Sequence, residues 1–188
     1  MGFLSKHLRD FSIMELVLIG LVAALGVATK PIVVPLVHII TGPLFIPGGA
    51  VAGGFYMLWI VLGAGIIRRR GAGSFIALTQ ALLVVVLGVY GTHGIVSVLT
   101  YTLPGIGVDL VFLFSRDKKY TPLHYFLAGG LANLIGTLSV NWVFFQLPLV
   151  PLLLSLSVAL LSGGLGGLIA YQVAKRFAAL HLLKQDQG

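Results

Sequence analysis

The sequence predicts an all-α membrane protein with six transmembrane helices and with both termini on the cytoplasmic side. Of the 188 residues, 58% are hydrophobic and only 9% are charged, whereas roughly a quarter of the residues in soluble domains are charged. Long apolar runs recur along the whole chain instead of once at its start, which excludes a secreted domain behind a signal peptide. We expect a single membrane domain over residues 1–188.

The six predicted spans are apolar stretches separated by polar or by proline- and glycine-rich connections. They cover about residues 12–29, 47–67, 72–90, 93–115, 122–146 and 150–175. With a cytoplasmic N-terminus, eleven of the twelve Lys and Arg residues fall on the cytoplasmic side, and Lys30 alone lies outside. This bias orients the chain by the positive-inside rule. The net charge of +7 therefore marks the cytoplasmic face beside anionic lipid and does not indicate nucleic-acid binding.

The first span begins at a helix-capping signal. Ser12 stands three residues before Glu15, the capping-box arrangement in which each side chain bonds the other residue's backbone amide. We therefore interpret Glu15 as a cap. Further along, Gly20, Ala24 and Ala28 recur every four residues and form a groove that suits another helix, either within the bundle or on a partner.

Between the first two spans the chain is apolar but interrupted by prolines and glycines. These residues argue against one continuous helix, and irregular backbone cannot face lipid with unpaired amides. We expect a broken, lid-like or re-entrant segment from Lys30 to Pro47 at the outer face. Lys30 and His38 are its strongly polar residues, and for Lys30 snorkelling toward water is favoured over ligand contact.

The second span opens on Pro47-Gly48-Gly49 and ends at the three arginines 68–70. Small residues share one face of this helix with Tyr56 and Trp59, so the span can pack closely and also line a pocket. The third span carries Gln80 near mid-membrane, where an amide needs a partner on another helix or on a ligand.

His93 lies in the glycine-rich outer turn that leads to the fourth span. In that span Tyr101 and Asp109 fall on one face. Asp109 is the one acid well inside a predicted span. We expect that Asp109 is tolerated there because it forms an ion pair with a cation such as Arg116. The alternative is that Asp109 is a functional carboxylate.

The fifth span carries the most regular polar pattern, because Asn133, Thr137 and Asn141 recur every four residues. Such a row must face the bundle interior, and pocket lining and interhelical bonding are equally supported. Trp142 lies near the outer end. The sixth span is expected to pack through the glycines within residues 163–167.

No set of residues supports catalysis, a metal site or a cofactor. The five histidines are scattered among termini and loops, without ligand spacing on any one helix. Ser162 precedes two glycines and is a weak candidate for an intramembrane nucleophile, since no histidine is related to it in sequence. There is no nucleotide-binding G-x-x-x-x-G-K-[ST] motif, so the chain is not expected to use ATP by itself.

Three stretches carry a resemblance to a known family. They are Ser12–Leu16 leading to Ala24-x-x-x-Ala28, the run from Phe55 through Trp59 to Ala72, and Leu87-Gly88. On these residues the chain resembles the substrate-binding S component of an energy-coupling factor (ECF) transporter. The run from Phe55 to Ala72 is most similar to the S components associated with thiamine and its hydroxymethylpyrimidine precursor.

The resemblance implies a subunit of the prokaryotic cell membrane that captures a vitamin or vitamin precursor outside, a thiamine-related pyrimidine among the candidates. Release would follow toppling of the subunit in the bilayer. Ala24 and Ala28, together with Gly20, would dock on a membrane coupling subunit that bears two ATPases. A non-transporting structural or assembly subunit is the main alternative, and an intramembrane enzyme is the third.

The candidate substrate-binding residues are Lys30, His38, Tyr56, Trp59, Gln80, His93, Tyr101, Asn133, Asn141 and Trp142. They combine aromatic faces with amide groups in the outer half of the bundle. No acidic residue lies in that half, where a pocket for the thiamine cation should supply a carboxylate. These residues therefore favour a neutral or anionic small molecule.

Overall fold

The computed structural model describes residues 11–41, 47–88, 96–115 and 120–179. Within these ranges every regular element is a helix, which confirms the predicted all-α class. The α-helices are α1 (Ile13–Ala28), α2 (Lys30–Thr41), α3 (Gly48–Ile67), α4 (Ala72–Leu87), α5 (Ser97–Leu113), α6 (Pro122–Val140) and α7 (Leu149–Ala179). A π-helical turn, Asn141–Phe145, extends α6.

All six predicted spans form apolar helices, although they differ in length. Four helical stretches are long and apolar enough to cross a membrane: Ile13–Ile39, Gly48–Ile67, Pro122–Phe145 and Leu149–Ala179. α4 and α5 have 16 and 17 residues, somewhat fewer than the roughly 20 that span a bilayer. The predicted ends of the third and fourth spans, at residues 89–95, lie outside the described part of the chain.

The first turn of α1 is held by two sets of polar contacts. Ser12 and Glu15 form the predicted capping box, with Glu15 N donating to Ser12 Oγ at 3.2 Å and Ser12 N donating to Glu15 Oε2 at 2.7 Å. Arg69 Nε also donates to Glu15 Oε1 at 2.6 Å. The start of α1 is thereby tied to the segment that follows α3, and we call this end of the bundle the arginine end.

Apart from α2, successive α-helices alternate in direction, so the two ends of the bundle are built from different residues. The starts of α1, α4 and α6 meet the ends of α3, α5 and α7 at the arginine end, as the ring contact between Tyr125 and Tyr171 shows for α6 and α7. The opposite end contains α2, the starts of α3 and α7, and the π-helical turn. We call it the Lys30 end.

α3 is the central helix and packs against every other α-helix of the described chain. Its contact with α7 has no room for side chains, since a Cβ on Gly54 would overlap the Ser162 carbonyl and one on Gly166 would overlap the Gly54 carbonyl. Ser162 Oγ donates to Val51 O at 2.5 Å and accepts from Gly54 N at 3.0 Å. The hydroxyl of Ser162, the candidate nucleophile, therefore joins α7 to α3, and its role is helix packing.

Asp109 has a different partner from the expected one. Its carboxylate accepts hydrogen bonds from Gly73 N at 2.9 Å, Ser74 N at 2.8 Å and Ser74 Oγ at 2.6 Å. These groups form the first turn of α4, where unpaired amides and the positive end of the helix dipole favour an acid. Asp109 therefore caps α4 from the neighbouring helix. Its predicted partner, Arg116, lies outside the described residues.

Replacing Asp109 by alanine is expected to lower the free energy of unfolding by about 1–3 kcal/mol, because two backbone amides lose their acceptor in a partly buried site. The measurement is thermal unfolding of the purified protein in detergent. Asp109→Asn is the matched control and should fall between the wild type and the alanine variant, since one acceptor oxygen remains. An alanine variant with an unchanged melting temperature would contradict the capping role.

The connection between the first two predicted spans is helical, so the expectation of irregular backbone is wrong for α2. α1 and α2 meet at Thr29 and together form the apolar stretch Ile13–Ile39. Pro31 lies in the first turn of α2, where no intrahelical amide is required. Pro35 lies inside α2 and costs one helical hydrogen bond. Residues 42–46 lie outside the described part.

Candidate functional site

A cavity of about 220 Å³ lies at the Lys30 end of the bundle. Its walls are formed by α2, the first half of α3, the start of α5, the second half of α6 and the π-helical turn, and α4 contributes Gln80. Its polar and aromatic lining residues are Lys30, His38, Tyr56, Gln80, Thr100, Tyr101, Asn133, Thr137, Asn141 and Phe145. Because a cavity of about 150 Å³ accommodates benzene, this space admits a small ring compound.

The cavity exists because α3 presents small residues where α2 and α6 approach it. Gly49, Ala52 and Gly53 line the space, and Tyr56 follows on the same face of the helix. A side chain at Gly53 would overlap the amide of Asn133. The small residues that the sequence assigned to helix packing therefore also create room for a ligand.

Lys30 is buried in the cavity wall, with 4% of its surface exposed. Its Nζ lies 3.7 Å from the centroid of the Tyr101 ring and 5.0 Å from that of the Tyr56 ring. The expectation that Lys30 snorkels toward water is therefore wrong, because cation–π contacts hold the ammonium group inside. Within the described ranges the acidic residues are Glu15 and Asp109, and both are engaged at the arginine end.

Two buried polar atoms of the cavity wall have no hydrogen-bond partner. They are Gln80 Nε2 and Thr137 Oγ1, and within the described part of the chain no other buried side-chain nitrogen or oxygen is left unpaired. Gln80 is 2% exposed and packs against Gly26, where any side chain would overlap its amide. An unpaired buried polar group costs about 1–3 kcal/mol, so both atoms are expected to bond a molecule that enters the cavity.

The amides of Asn133 and Asn141 line the cavity but already have partners. Asn133 Nδ2 donates to Ala50 O at 3.0 Å and to Ala159 O at 2.8 Å, which joins α6 to α3 and α7. Asn141 Oδ1 accepts from Leu147 N at 3.0 Å, after the π-helical turn. The predicted row of Asn133, Thr137 and Asn141 does face inward. The two asparagine amides are hydrogen-bonded to the protein backbone, and the Thr137 hydroxyl is unpaired.

Of the other four predicted binding residues, one also lines the cavity, two are outside its lining and one is not described. His38 is exposed at the cavity rim. Trp59 packs against the hydrophobic core, and Trp142 is 79% exposed beside a shallow groove outside the cavity. His93 lies outside the described residues. The structure therefore brings Lys30 together with tyrosines and amides but not with the tryptophans.

Two polar lining residues, Thr100 and Thr137, were not among the predicted site residues. The spacing of Thr137 from the asparagines of the same row was an available signal. Thr100 Oγ1 donates to Val96 O of its own helix at 3.4 Å, a bond that threonine makes in many membrane helices. Nothing in the sequence marked Thr100 as a cavity residue.

The groove of Gly20, Ala24 and Ala28 faces away from the bundle. Ala24 and Ala28 are exposed, and a Cβ on Gly20 would meet no atom within 4 Å. The buried side of α1 is a different face that includes Ile19 and Ala23. The sequence allowed this groove to pack against a helix of the bundle or against a partner. Within the described chain, the first of these two predictions is wrong.

Known proteins share both the sequence pattern and this architecture. Residues 14–135 match the family described as "ABC-type cobalt transport system, permease component". A solved structure described as "Crystal structure of an S-component of ECF transporter" has a TM-score of 0.73 and 22% sequence identity, with 92% of this chain and 88% of that chain covered. A search of curated proteins finds no match.

The matched range covers more than half of the chain and extends from α1 into α6. The solved structure confirms the resemblance to S components at the level of the fold. The chain therefore belongs to the family of ABC-type cobalt transport system permease components and has the fold of an ECF transporter S component.

Proposed function

We propose that this protein is the substrate-binding membrane subunit of an ECF-type ABC importer and that it captures a small, vitamin-like organic molecule. The observation that carries the proposal is the cavity at the Lys30 end, whose wall presents two tyrosine rings and two unpaired polar atoms. The S-component fold and the transport description of the family support it.

The distribution of basic residues supports an outward-facing cavity. The arginine end carries residues 68–70 and is the cytoplasmic end by the positive-inside rule, with both termini on that side. The Lys30 end then faces outward in the cell membrane, where a substrate arrives. α2 is the proposed lid, because it forms one wall of the cavity and lies between Thr29 and the segment leading to α3.

Cobalt stands in the family's description, but the cavity of this chain fits an organic molecule better. Cobalt ions take imidazole, carboxylate or thiolate ligands. In the described ranges no three His, Cys, Asp or Glu residues are placed to hold a metal ion. The Lys30 ammonium in the wall also repels a dication. A thiamine-related pyrimidine, or another neutral or anionic ring compound, is the proposed class of cargo.

The proposed partner is a membrane coupling subunit with two ATPases, bound at the exposed groove of Gly20, Ala24 and Ala28. Small residues let a partner helix approach closely, and the groove is not used inside the bundle. The rival proposal is a structural or assembly subunit that transports nothing. The two proposals predict different results for a substitution in the groove. Only the transporter proposal predicts that uptake is lost while ligand binding persists.

Replacing both Ala24 and Ala28 by leucine is expected to abolish association with the coupling subunit and to reduce uptake about tenfold or more, because the added side chains separate the helices. Ligand retention, measured by native mass spectrometry, should persist because the groove is outside the cavity. Ala178→Leu, at another exposed alanine, is the matched control. Unchanged uptake and co-purification in the double variant would favour the structural-subunit proposal.

A further inference from the structure

We propose that the cargo is a small planar carboxylate and that Lys30 recognises its anionic group. This inference rests on the proposed function of the cavity and adds the chemical class of the molecule that occupies it. Three observations carry it: a buried ammonium group that has no carboxylate partner among the described residues, two tyrosine rings beside it, and an unpaired amide in the lining of the same cavity.

The charge of Lys30 is not balanced within the described part of the chain. Lys30 is 4% exposed, and the described acids, Glu15 and Asp109, bind other groups at the opposite end of the bundle. The other three acidic residues of the chain lie outside the described ranges. A buried charge normally has a partner of opposite sign, and an anionic ligand supplies one.

The tyrosine rings alone do not compensate for burying this ammonium group. Cation–π contacts contribute about 0.5–2 kcal/mol, whereas removing an ion from water costs several kcal/mol in real proteins, of the order found for buried ion pairs. The contacts of Nζ with Tyr101 and Tyr56 therefore position the charge without neutralising it. A carboxylate in the cavity would complete the pair.

Gln80 provides a second hydrogen-bond donor in the cavity lining. Its buried Nε2 has no partner within the described part of the chain, and its side chain lies against Gly26 of α1. An amide NH₂ and an ammonium group are both donors, so a cavity lined by both suits acceptor oxygens. The faces of Tyr56 and Tyr101 suit a flat ring.

A carboxylate fits better than a phosphate monoester. A phosphate monoester carries a charge of about −1.5 to −2 at neutral pH, and a single ammonium group balances only part of it. The other basic lining residue is His38, which is exposed at the rim. The cavity of about 220 Å³ has room for one substituted ring and its carboxylate.

The test is a series of ring compounds that differ in charge. Nicotinate, nicotinamide and 1-methylnicotinamide carry a negative, a neutral and a positive group on one pyridine ring, and pyrimidine-5-carboxylate and its carboxamide form a second pair. Binding to the full-length protein in detergent is measured by calorimetry for the wild type, Lys30→Gln and Lys30→Arg. Size-exclusion profiles and melting temperatures show that each variant is folded.

Wild-type protein is expected to bind each carboxylate about 10- to 100-fold more tightly than the matching amide, the range for a hydrogen bond to a charged group. Lys30→Gln should remove this preference, and Lys30→Arg should retain it. Equal or tighter binding of the neutral or cationic compounds, or a preference that survives in Lys30→Gln, would overturn the carboxylate inference. The cavity would then still be a binding site.

If the wild type binds none of these probes, native mass spectrometry of the protein purified from cells decides between the remaining outcomes. A co-purified carboxylate that is lost from Lys30→Gln supports the inference. A co-purified neutral, cationic or phosphorylated molecule overturns it but leaves the proposed function intact. Protein without any bound molecule counts against the proposed function and removes the inference with it.

Discussion

Gly54→Ala is expected to destabilise the bundle by about 3 kcal/mol or more, the upper end of the range for overpacked cores. The new methyl group would overlap the Ser162 carbonyl of α7 and would lie 2.7 Å from the Ser162 hydroxyl. Flexible side chains relieve such overlaps, but a backbone carbonyl moves only with its helix. The expected effect therefore exceeds the gain of about 0.5–1 kcal/mol in helix propensity from glycine to alanine.

Gly49→Ala is the matched control on the same helix, because its Cβ would meet no atom within 4 Å. It should leave the melting temperature unchanged or raise it slightly. Both variants are measured by thermal unfolding in detergent and by their yield as monodisperse protein. Equal stability of the two variants would show that the contact between α3 and α7 is looser than the structure indicates.

Gln80→Met is expected to weaken ligand binding about 10- to 100-fold, because a polar group of the ligand loses its partner. It should also stabilise the empty protein. Gln80 Nε2 is buried without a partner, and its removal relieves a cost of about 1–3 kcal/mol, while methionine preserves the shape beside Gly26. Raised stability together with weakened binding is typical of a polar group retained for function.

Asn133→Leu is the control for this prediction, because the asparagine amide also lines the cavity but is bonded to Ala50 O and Ala159 O. Its removal should destabilise the protein, since two buried carbonyl groups lose a donor. Ligand affinity is measured by calorimetry and stability by thermal unfolding. A loss of stability in Gln80→Met similar to that in Asn133→Leu would contradict a ligand-binding role for Gln80.

Local patterns in the sequence predicted most of the fold. The capping box of Ser12 and Glu15 lies where the sequence placed it, and α3 covers Gly48–Ile67 against a predicted 47–67. α2 was the exception, because the prolines were interpreted as helix breakers. A proline in a first helical turn is compatible with a helix. The spacing of the prolines alone does not show whether a given proline starts a helix or breaks one.

The candidate site was predicted by residue type more accurately than by role. Tyr56, Gln80 and Tyr101 line the cavity. The sequence could identify them because polar and aromatic residues inside a membrane span are expected to face the interior of the bundle. Trp142 lies outside it because it directly follows Asn141, so its side chain leaves the helix about 100° away from the inward-facing row.

The sequence by itself determined the membrane class, the helical elements and the uneven distribution of basic residues, since each depends on hydropathy, spacing or charge along the chain. Only the tertiary structure decided which polar groups are satisfied. It pairs Asn133 with two backbone carbonyls, leaves Gln80 unpaired and turns Lys30 inward over two tyrosine rings. The physical reason is that hydrogen bonds and burial depend on helices distant in sequence, so that two amides lining one cavity acquire different roles.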